Sequence, residues 1–282
     1  MDGGVCVNVP HGFWEGGCLC REVWLRPIDT SDERFAAEST GQSPAERANQ
    51  LLIRCTANGD ERERVPVLDL TAGDREALLL HLRRISYSDR IEAVFACANQ
   101  DCRERLEVAL STRDLLLEPY RDPAPLYERR INGEISCTLT FRLPTAGDQA
   151  AVAHVARTDP QRAARLILER CVQKEEMGAP AVEWRTAPEP LFEQASALMA
   201  ELDPQAEIEF DLQCPICGTR SSTPLDMATF LLQELDQRAE HLFRDIHTLA
   251  VWYHWSEEAI LAMPQARRER YLDLIAAQTE TA

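Results

Sequence analysis

The chain has 282 residues, 45% of them hydrophobic and 27% charged, which is typical of a soluble globular protein with one large domain or two to three small ones. Its formal net charge is −17, and Lys174 is the single lysine beside 29 arginines. This acidic balance argues against a general nucleic-acid binder, and a GxxxxGK(S/T) phosphate loop is absent. The apolar runs are short and the first residues lack a secretory pattern, so we expect neither a membrane span nor a signal peptide.

The first fifth of the chain predicts a mixture of strands and helices. Residues 1–20 are rich in Gly and Cys and show no clear period. The alternating stretch 20–28 predicts a strand, and Thr30 followed by acidic residues predicts the start of a helix. The polar residues 39–49 predict a loop, and the apolar run 51–57 predicts a second strand.

The phrase Thr-Ala-Gly-Asp occurs twice, at residues 71–74 and 145–148. In each copy Thr can act as the N-cap of a helix, and Asp stands at the third helical position, as in a capping box. Two explanations stay open, namely recurrent use of one cap and a true internal duplication. Either explanation gives units of strand, cap and helix, and therefore an α+β chain.

The remaining sequence predicts short strands between helices. Strands are predicted at 91–95, 106–110, 137–143 and 207–212. Helices are predicted at 159–171 and 191–202, with a Pro-containing linker at 178–190. The chain ends in helices that start near Pro224, Ser256 and Pro264.

Two cysteine pairs carry the clearest chemical signal. Cys97 and Cys102 form a C-x4-C pair, and Cys214 and Cys217 form a C-x2-C pair in the phrase CPICG. Each pair follows a predicted strand, so each is expected at the tip of a hairpin, as a knuckle. Two such knuckles can supply the four thiolates that a tetrahedral structural Zn²⁺ requires. The pairs are 112 positions apart (214 − 102), so a subdomain inserted between them is needed.

A site closed by four thiolates has no open position for substrate, so its Zn²⁺ would stabilise the fold instead of catalysing a reaction. The alternative is two unrelated pairs, with the CPIC pair active in redox chemistry.

The other cysteines give weaker signals. Cys6, His11, Cys18 and Cys20 form a second possible metal set, but their spacing is unusual and favours free thiols in a loop or edge strand. Cys55, Cys137 and Cys171 lie on apolar faces and are predicted to be buried core thiols.

Several phrases in combination resemble a known family. They are residues 78–90, the Cys97–Cys102 knuckle, 113–116, 143–149, 169–171, the Cys214–Gly218 phrase, 245–250, 253–256, 260–264 and 267–272. Together they are similar to baseplate and baseplate-hub assembly proteins of contractile-tailed phages and related contractile injection systems. The resemblance spans about residues 65–275, and residues 1–64 match less well.

The resemblance implies a non-enzymatic structural or assembly role with other baseplate or tail proteins as partners, in the bacterial cytoplasm during assembly and in the tail or injection-system particle. It implies no membrane, no nucleic-acid partner and no small-molecule substrate. The terminal helices would then form a docking element, because Trp, Tyr and Arg anchor interfaces; its candidate residues are Tyr253, Trp255, Arg267, Arg268, Arg270 and Tyr271. The alternative for these residues is packing within their own domain.

The sequence therefore predicts an α+β protein with a split zinc-ribbon-like core, two Cys knuckles, an inserted α/β subdomain and a helical C-terminal region. The expected segments are 1–64, 65–117 with the first knuckle, 118–205 as the insertion, 206–224 with the second knuckle, and 225–282. The alternative function is a zinc-ribbon nucleic-acid-binding or transcription adaptor, and a third is a redox enzyme that uses CPIC.

Overall fold

Helices and short strands alternate along the chain, as the sequence pattern predicts. The computed structural model describes residues 4–57, 64–131, 137–177 and 183–279. The elements are β1 (Val5–Glu15), β2 (Cys18–Leu25), α1 (Thr30–Glu38), α2 (Pro44–Cys55), β3 (Thr56–Ala57), α3 (Ala72–Ser86), β4 (Arg90–Ala96), β5 (Arg105–Ser111), α4 (Thr112–Leu115), β6 (Tyr127–Ile131), β7 (Cys137–Phe141), α5 (Ala146–Ala156), α6 (Pro160–Cys171), β8 (Val172–Met177), α7 (Glu189–Leu202), β9 (Glu209–Gln213), β10 (Arg220–Pro224), α8 (Met227–Tyr253), α9 (Glu257–Leu261) and α10 (Gln265–Thr279).

The contacts divide the chain into two units. Unit 1 consists of residues 1–27 and 42–230, and unit 2 of residues 28–41 and 231–282. Among the described residues, none of the helices is both long enough and apolar enough to cross a bilayer.

The same chain topology occurs twice. In the first copy the hairpin β1–β2 is followed by α1, α2 and the short strand β3, which pairs antiparallel with β2. In the second copy the hairpin β6–β7 is followed by α5, α6 and β8, which pairs antiparallel with β7. We call residues 5–57 the first module and residues 127–177 the second module.

Residues 21–57 of the first module align without a gap with residues 137–173 of the second module, at an offset of 116 positions. Helices α2 and α6 both have twelve residues with Pro at the first position, and both are followed directly by a strand. The backbone N–H of Arg26 donates to Cys55 O at 2.9 Å, and that of Arg142 donates to Cys171 O at 3.1 Å. The eight identical residue pairs include Arg26/Arg142, Asp32/Asp148, Pro44/Pro160, Arg54/Arg170 and Cys55/Cys171. We conclude that the chain contains an internal duplication.

The duplication is not the one that the repeated phrase indicates. At the offset of 116, the partner of the Thr145–Asp148 capping box is the Asp29–Asp32 capping box. The phrase at Thr71 caps α3 instead, and its Thr71 forms an antiparallel bridge with Thr145. Both predicted N-caps, Thr71 and Thr145, are confirmed.

A buried ion-pair cluster joins the helices of the second module to β7. Asp148 is 1% exposed and accepts hydrogen bonds from Arg142 Nη2 at 3.0 Å, Arg170 Nε at 2.7 Å and the backbone N–H of Thr145 at 3.0 Å. Burial alone would raise the pKa of Asp148, but the hydrogen bonds from Arg142 and Arg170 lower it to about 2. Arg142 and Arg170 therefore stabilise the charged form of the buried Asp148 carboxylate.

Helix α3 lies inside unit 1. Its residues 72–83 are all buried, although five of them, Asp74, Arg75, Glu76, His81 and Arg83, are polar or charged. Gly73 is required there, because a Cβ atom would lie 1.9 Å from Asp203 Oδ1. The carboxylate of Asp203 instead accepts a hydrogen bond from Gly73 N–H at 2.9 Å.

Unit 2 has a small core of its own, formed by α8, α9 and α10. Its buried residues are Leu242, Ile246, Leu249, Ile260 and Ile275. Ser256 caps α9 through its hydroxyl, as the sequence predicts. The predicted helical C-terminal region is therefore confirmed.

Two predictions for the first module are wrong. Residues 39–49 and 51–57 were expected to be a loop and a strand, but α2 covers 44–55. Ser43 and Glu46 form a capping box, and Pro44 occupies the first helical position, where it needs no hydrogen-bond donor. The short apolar run is one buried face of a helix, and periodicity alone cannot separate that from a strand. Residues 5–15, for which no period was identified, form β1.

Candidate metal centre

The hairpin β4–β5 positions the first cysteine pair. Its strands are antiparallel from Arg90 to Ala96, and Cys97 follows directly. The backbone N–H of Cys97 donates to Glu104 O at 2.8 Å, which closes the tip. Arg103, directly after Cys102, has a left-handed φ of 49°. This turn places the two thiols on the same side of the tip.

The hairpin β9–β10 positions the second pair in the same way. The backbone N–H of Cys214 donates to Thr219 O at 2.9 Å, and that of Gly218 donates to Cys214 O at 2.9 Å. Gly218, directly after Cys217, has a φ of 74°. A Cβ atom on Gly218 would meet no heavy atom within 4 Å, so the backbone angle alone favours glycine. Each knuckle thus has its own closing backbone hydrogen bond and its own residue with a left-handed backbone angle.

The four thiols lie together, although 112 residues separate the pairs. Their Sγ atoms are all within 4.8 Å of one another. Two short distances join the two knuckles, with Cys97 Sγ 3.5 Å from Cys217 Sγ and Cys102 Sγ 3.9 Å from Cys214 Sγ. In a ZnS₄ tetrahedron with Zn–S bonds of about 2.3 Å, the sulfur–sulfur edges are about 3.8 Å. The donor set and its spacing therefore fit a tetrahedral thiolate-bound metal.

Apolar side chains hold the knuckles against each other. Cys97, Leu106, Leu212 and Cys214 form one buried cluster. Behind it the rings of Phe95 and Phe210, one from each hairpin, meet edge to face with centroids 5.1 Å apart. This contact fixes the separation of the two tips without the metal.

The burial of the four cysteines is uneven. Cys97 and Cys214 are buried, Cys102 is half-buried and Cys217 is exposed. Hydrogen bonds from the hydroxyl and backbone N–H of Thr219 lower the pKa of Cys217 to about 6. Such a thiol is readily deprotonated, as a metal ligand must be. The pKa values of Cys97 and Cys102 are raised instead, because burial and the neighbouring thiols outweigh the backbone hydrogen bonds that these two sulfurs accept.

A lowered thiol pKa is also typical of redox CxxC pairs. In a redox pair the two cysteines of one motif react with each other. Here all four Sγ atoms lie within 4.8 Å, so Cys214 is close to Cys217 of its own motif and also to Cys102 of the other knuckle. The group of four extends beyond the CPIC motif, as a shared metal site requires and a two-cysteine redox pair does not.

The candidate docking residues lie in unit 2. Tyr253, Trp255 and Tyr271 are half-buried and pack on one another, with the rings of Tyr253 and Trp255 stacked at 4.6 Å. Arg268 is 3% exposed and donates to Met263 O at 2.8 Å. These contacts lie within unit 2, and docking to a partner through these residues stays a prediction.

Arg267 and Arg270 remain exposed.

The second possible metal set does not form. Cys6 pairs with Trp24 near one end of the hairpin β1–β2, whereas Cys20 pairs with Phe13 near the other. Among the described residues, the four knuckle cysteines are the one group suited to a metal. The predicted burial of Cys55, Cys137 and Cys171 is confirmed.

A buried polar cluster surrounds His11, and the sequence pattern does not predict it. Asp74 accepts hydrogen bonds from the backbone N–H groups of His11 at 2.7 Å and Gly12 at 2.8 Å. His11 Nε2 also lies 3.6 Å from Asp203 Oδ1, and its ring stacks on Tyr120. Burial raises the pKa of Asp74 to about 8 and lowers that of His11. The three residues are distant in sequence and give no local signal.

One family of known proteins matches the chain. It is described as "T4 bacteriophage base plate protein", and its model matches residues 20–232, about three quarters of the chain. The match includes both knuckles and most of the first module, but it ends before most of α8. Neither the curated proteins nor the solved structures include a match to the chain.

Proposed function

This chain belongs to the family of T4 bacteriophage base plate proteins, and from that premise we propose that it is a non-enzymatic structural or assembly protein of a contractile-tail or injection-system baseplate. The observation that carries the proposal is the family match over residues 20–232. Its partners are other baseplate or tail proteins. It meets them in the bacterial cytoplasm during assembly, and as a structural subunit it would stay with them in the particle.

We propose further that Cys97, Cys102, Cys214 and Cys217 hold one structural Zn²⁺. The supporting observations are four thiols within 4.8 Å and inter-knuckle sulfur distances of 3.5 and 3.9 Å. With all four positions taken by protein, the metal contributes folding free energy and has no position for substrate.

The two knuckles then form a split zinc-ribbon-like core, and residues 118–205 are the insertion that separates its halves. The second module and helix α7 support this proposal, because their residues share one apolar cluster that includes Leu139, Leu168 and Leu191.

The docking role of the terminal helices is carried by the exposed Arg267 and Arg270 of α10. Both lie beyond residue 232, outside the family match.

The baseplate proposal is tested by locating the chain during assembly of the particle. Immunoblotting and electron microscopy of purified particles and of assembly intermediates are expected to detect it in at least one of them. Its absence from both would refute the proposal. Retention of the purified chain on DNA or RNA at low salt would support a nucleic-acid adaptor instead.

The zinc proposal is tested by elemental analysis of the purified full chain. We expect about one zinc per chain in the wild type and none in Cys97→Ser or Cys214→Ser, each of which removes one ligand of four. Cys18→Ser is the matched control, since Cys18 is exposed in β2 and is outside the thiol group. Zinc retained in full by either knuckle variant would exclude a shared site.

A further inference from the structure

The four knuckle cysteines differ in how far solvent reaches them. Cys217 is exposed, Cys102 is half-buried, and Cys97 and Cys214 are buried. A hydroperoxide oxidises a cysteine only when it meets the sulfur atom, so susceptibility to oxidation follows exposure. Cys217 is therefore the member of the group that a dissolved hydroperoxide reaches first.

The sulfur of Cys217 already lies against the sulfur of a second cysteine. Cys97 Sγ is 3.5 Å away. Each of the two sulfurs also has a polar contact within its own knuckle, because Asn99 N–H donates to Cys97 Sγ at 3.4 Å and Cys217 Sγ lies 3.2 Å from Thr219 Oγ1. The sulfurs of a disulfide are about 2.05 Å apart, so an approach of about 1.5 Å is enough to join Cys97 and Cys217.

The other two thiols form a second contact of the same kind. Cys102 Sγ lies 3.9 Å from Cys214 Sγ, so this contact also joins one hairpin tip to the other. The packing of Phe95 on Phe210 holds the two hairpins together behind the sulfurs. Four cysteines allow three pairings, and the two contacts correspond to one of them. Joining the sulfurs in this way leaves the hairpins packed as they are.

We propose that the knuckle cysteines are a site of oxidative cross-linking, at which a hydroperoxide converts the four thiolates into the disulfides Cys97–Cys217 and Cys102–Cys214. The inference rests on the proposed function for the metal-bound thiolates and adds a second chemical state of the same site. In the oxidised state, two covalent bonds join the hairpins in place of the metal.

Each disulfide consumes one molecule of hydrogen peroxide. The Cys217 thiolate attacks one peroxide oxygen, so an S–O bond forms, the O–O bond breaks and hydroxide leaves. The Cys97 thiolate then attacks the Cys217 sulfur, so the S–S bond forms, the S–O bond breaks and a second hydroxide leaves. The two sulfurs together lose two electrons, and the peroxide gains them. The same steps join Cys102 and Cys214, after which no thiolate remains to bind Zn²⁺.

Disulfide mapping tests the pairing. The reduced full chain is treated with one hydrogen peroxide for each pair of knuckle cysteines, the remaining thiols are alkylated, and the disulfides are located by tandem mass spectrometry. Cleavage before Asp101 separates Cys97 from Cys102, and fragmentation between Cys214 and Cys217 assigns their partners. We expect the two proposed disulfides to exceed every other pairing of these cysteines at least about tenfold. Disulfides within the knuckles, the crossed pairs Cys97–Cys214 and Cys102–Cys217, or no disulfide would overturn the proposal.

Trapping of the sulfenic acid tests which sulfur reacts first. With dimedone present and less peroxide than protein, we expect the label on Cys217 to exceed that on each of the other three knuckle cysteines at least about tenfold, because Cys217 alone among them is exposed. Equal labelling of the four would contradict the proposed order.

Cys18→Ser is the matched control for the mapping. Cys18 is exposed in β2 and lies outside the group of four thiols. Its replacement should leave both disulfides unchanged. A different pairing in this variant would show that the knuckle disulfides depend on a thiol elsewhere and would count against the proposal.

Thermal unfolding with a zinc chelator tests whether the disulfides replace the metal. We expect the chelator to lower the unfolding temperature of the reduced chain and to leave that of the oxidised chain unchanged, because the disulfides join the hairpins without metal. Dithiothreitol should restore the sensitivity to the chelator. An oxidised chain that unfolds as readily as the reduced chain with chelator would overturn the proposal. A native chain without zinc contradicts the zinc proposal, and mapping of the same reduced chain still tests the pairing. A chain with one zinc and other disulfides contradicts this inference alone.

Discussion

Replacing Asp148 by Asn tests whether the buried ion-pair cluster stabilises the second module. The carboxylate is 1% exposed and accepts hydrogen bonds from Arg142, Arg170 and Thr145. Asparagine keeps the size of the side chain but turns an N–H₂ group towards donors. The arginines then lose a charged acceptor at a position that water reaches poorly.

Two independent routes give the expected cost. Removing one partner of a buried pair costs about 3–5 kcal/mol, and the partial exposure of Arg142 (28%) and Arg170 (49%) favours the lower end. A shift in pKa from about 3.9 in the unfolded chain to about 2 in the fold corresponds to about 2.5 kcal/mol. We therefore expect Asp148→Asn to lower the free energy of unfolding by about 3 kcal/mol.

The assay is urea unfolding followed by circular dichroism between pH 7 and about pH 2. The folded pKa of Asp148 is lowered, so its stabilisation is complete above about pH 4 and is lost as the pH falls towards 2. The difference between wild type and variant should therefore narrow over that interval. Glu92→Gln breaks an ion pair whose side chains are 69% and 74% exposed and should cost at most about 0.5 kcal/mol. A cost for Asp148→Asn no larger than this control, or a difference independent of pH, would refute the reasoning.

Two further substitutions test the duplication and the packing of α3. Asp32→Asn changes the residue equivalent to Asp148. Because Asp32 is fully buried and accepts a hydrogen bond from the backbone N–H of Asp29 at 3.0 Å, we expect the free energy of unfolding to fall by about 2 kcal/mol in the same urea assay. An unchanged free energy of unfolding would contradict the equivalence. Gly73→Ala places a Cβ atom 1.9 Å from Asp203 Oδ1 and should lower the free energy of unfolding, measured by calorimetry, by more than about 3 kcal/mol. Gly41→Ala is the control, because a Cβ atom there meets no heavy atom within 4 Å, and it should change the free energy of unfolding by at most about 1 kcal/mol. Equal effects of the two substitutions would show that the structure around Gly73 relaxes freely.

The metal-binding candidate was accessible to sequence analysis because each half is local. The CPICG phrase and the C-x4-C pair sit at hairpin tips that alternating strands already predict. The sequence could not supply the distances between the pairs, since these depend on packing such as that of Phe95 on Phe210. Local patterns therefore identified the candidate ligands, and tertiary packing determines their spacing.

The first module was predicted poorly because its signals compete. The run 51–57 resembles a strand, and the stronger indication was the capping box of Ser43 and Glu46, which begins eight residues before Leu51. The repeated Thr-Ala-Gly-Asp phrase indicated a duplication at an offset of 74, whereas the modules repeat at 116 with eight identical residues among 37. The two modules have retained the same topology although few of their side chains are identical. The structure therefore reveals the repeat, and the repeated phrase does not.

The His11 cluster was beyond the sequence for a different reason. Its members come from β1, from α3 and from Asp203 directly after α7, and no pattern along one segment records them. Such sites require the assembled core before they can be recognised.

The position of the knuckles relative to the second module gives the proposed zinc a larger role than joining two hairpins. A metal held by all four cysteines closes a loop of 112 positions (214 − 102) that contains the whole second module. For a covalent cross-link, a loop of about 100 residues corresponds to about 4.7 kcal/mol of unfolded-state entropy, and a tightly bound metal acts on the unfolded chain in the same sense. The insertion separates the ligands in sequence, and that separation increases the stabilisation that one metal ion can provide. A long insertion within a split zinc site is therefore compatible with a stable structural protein.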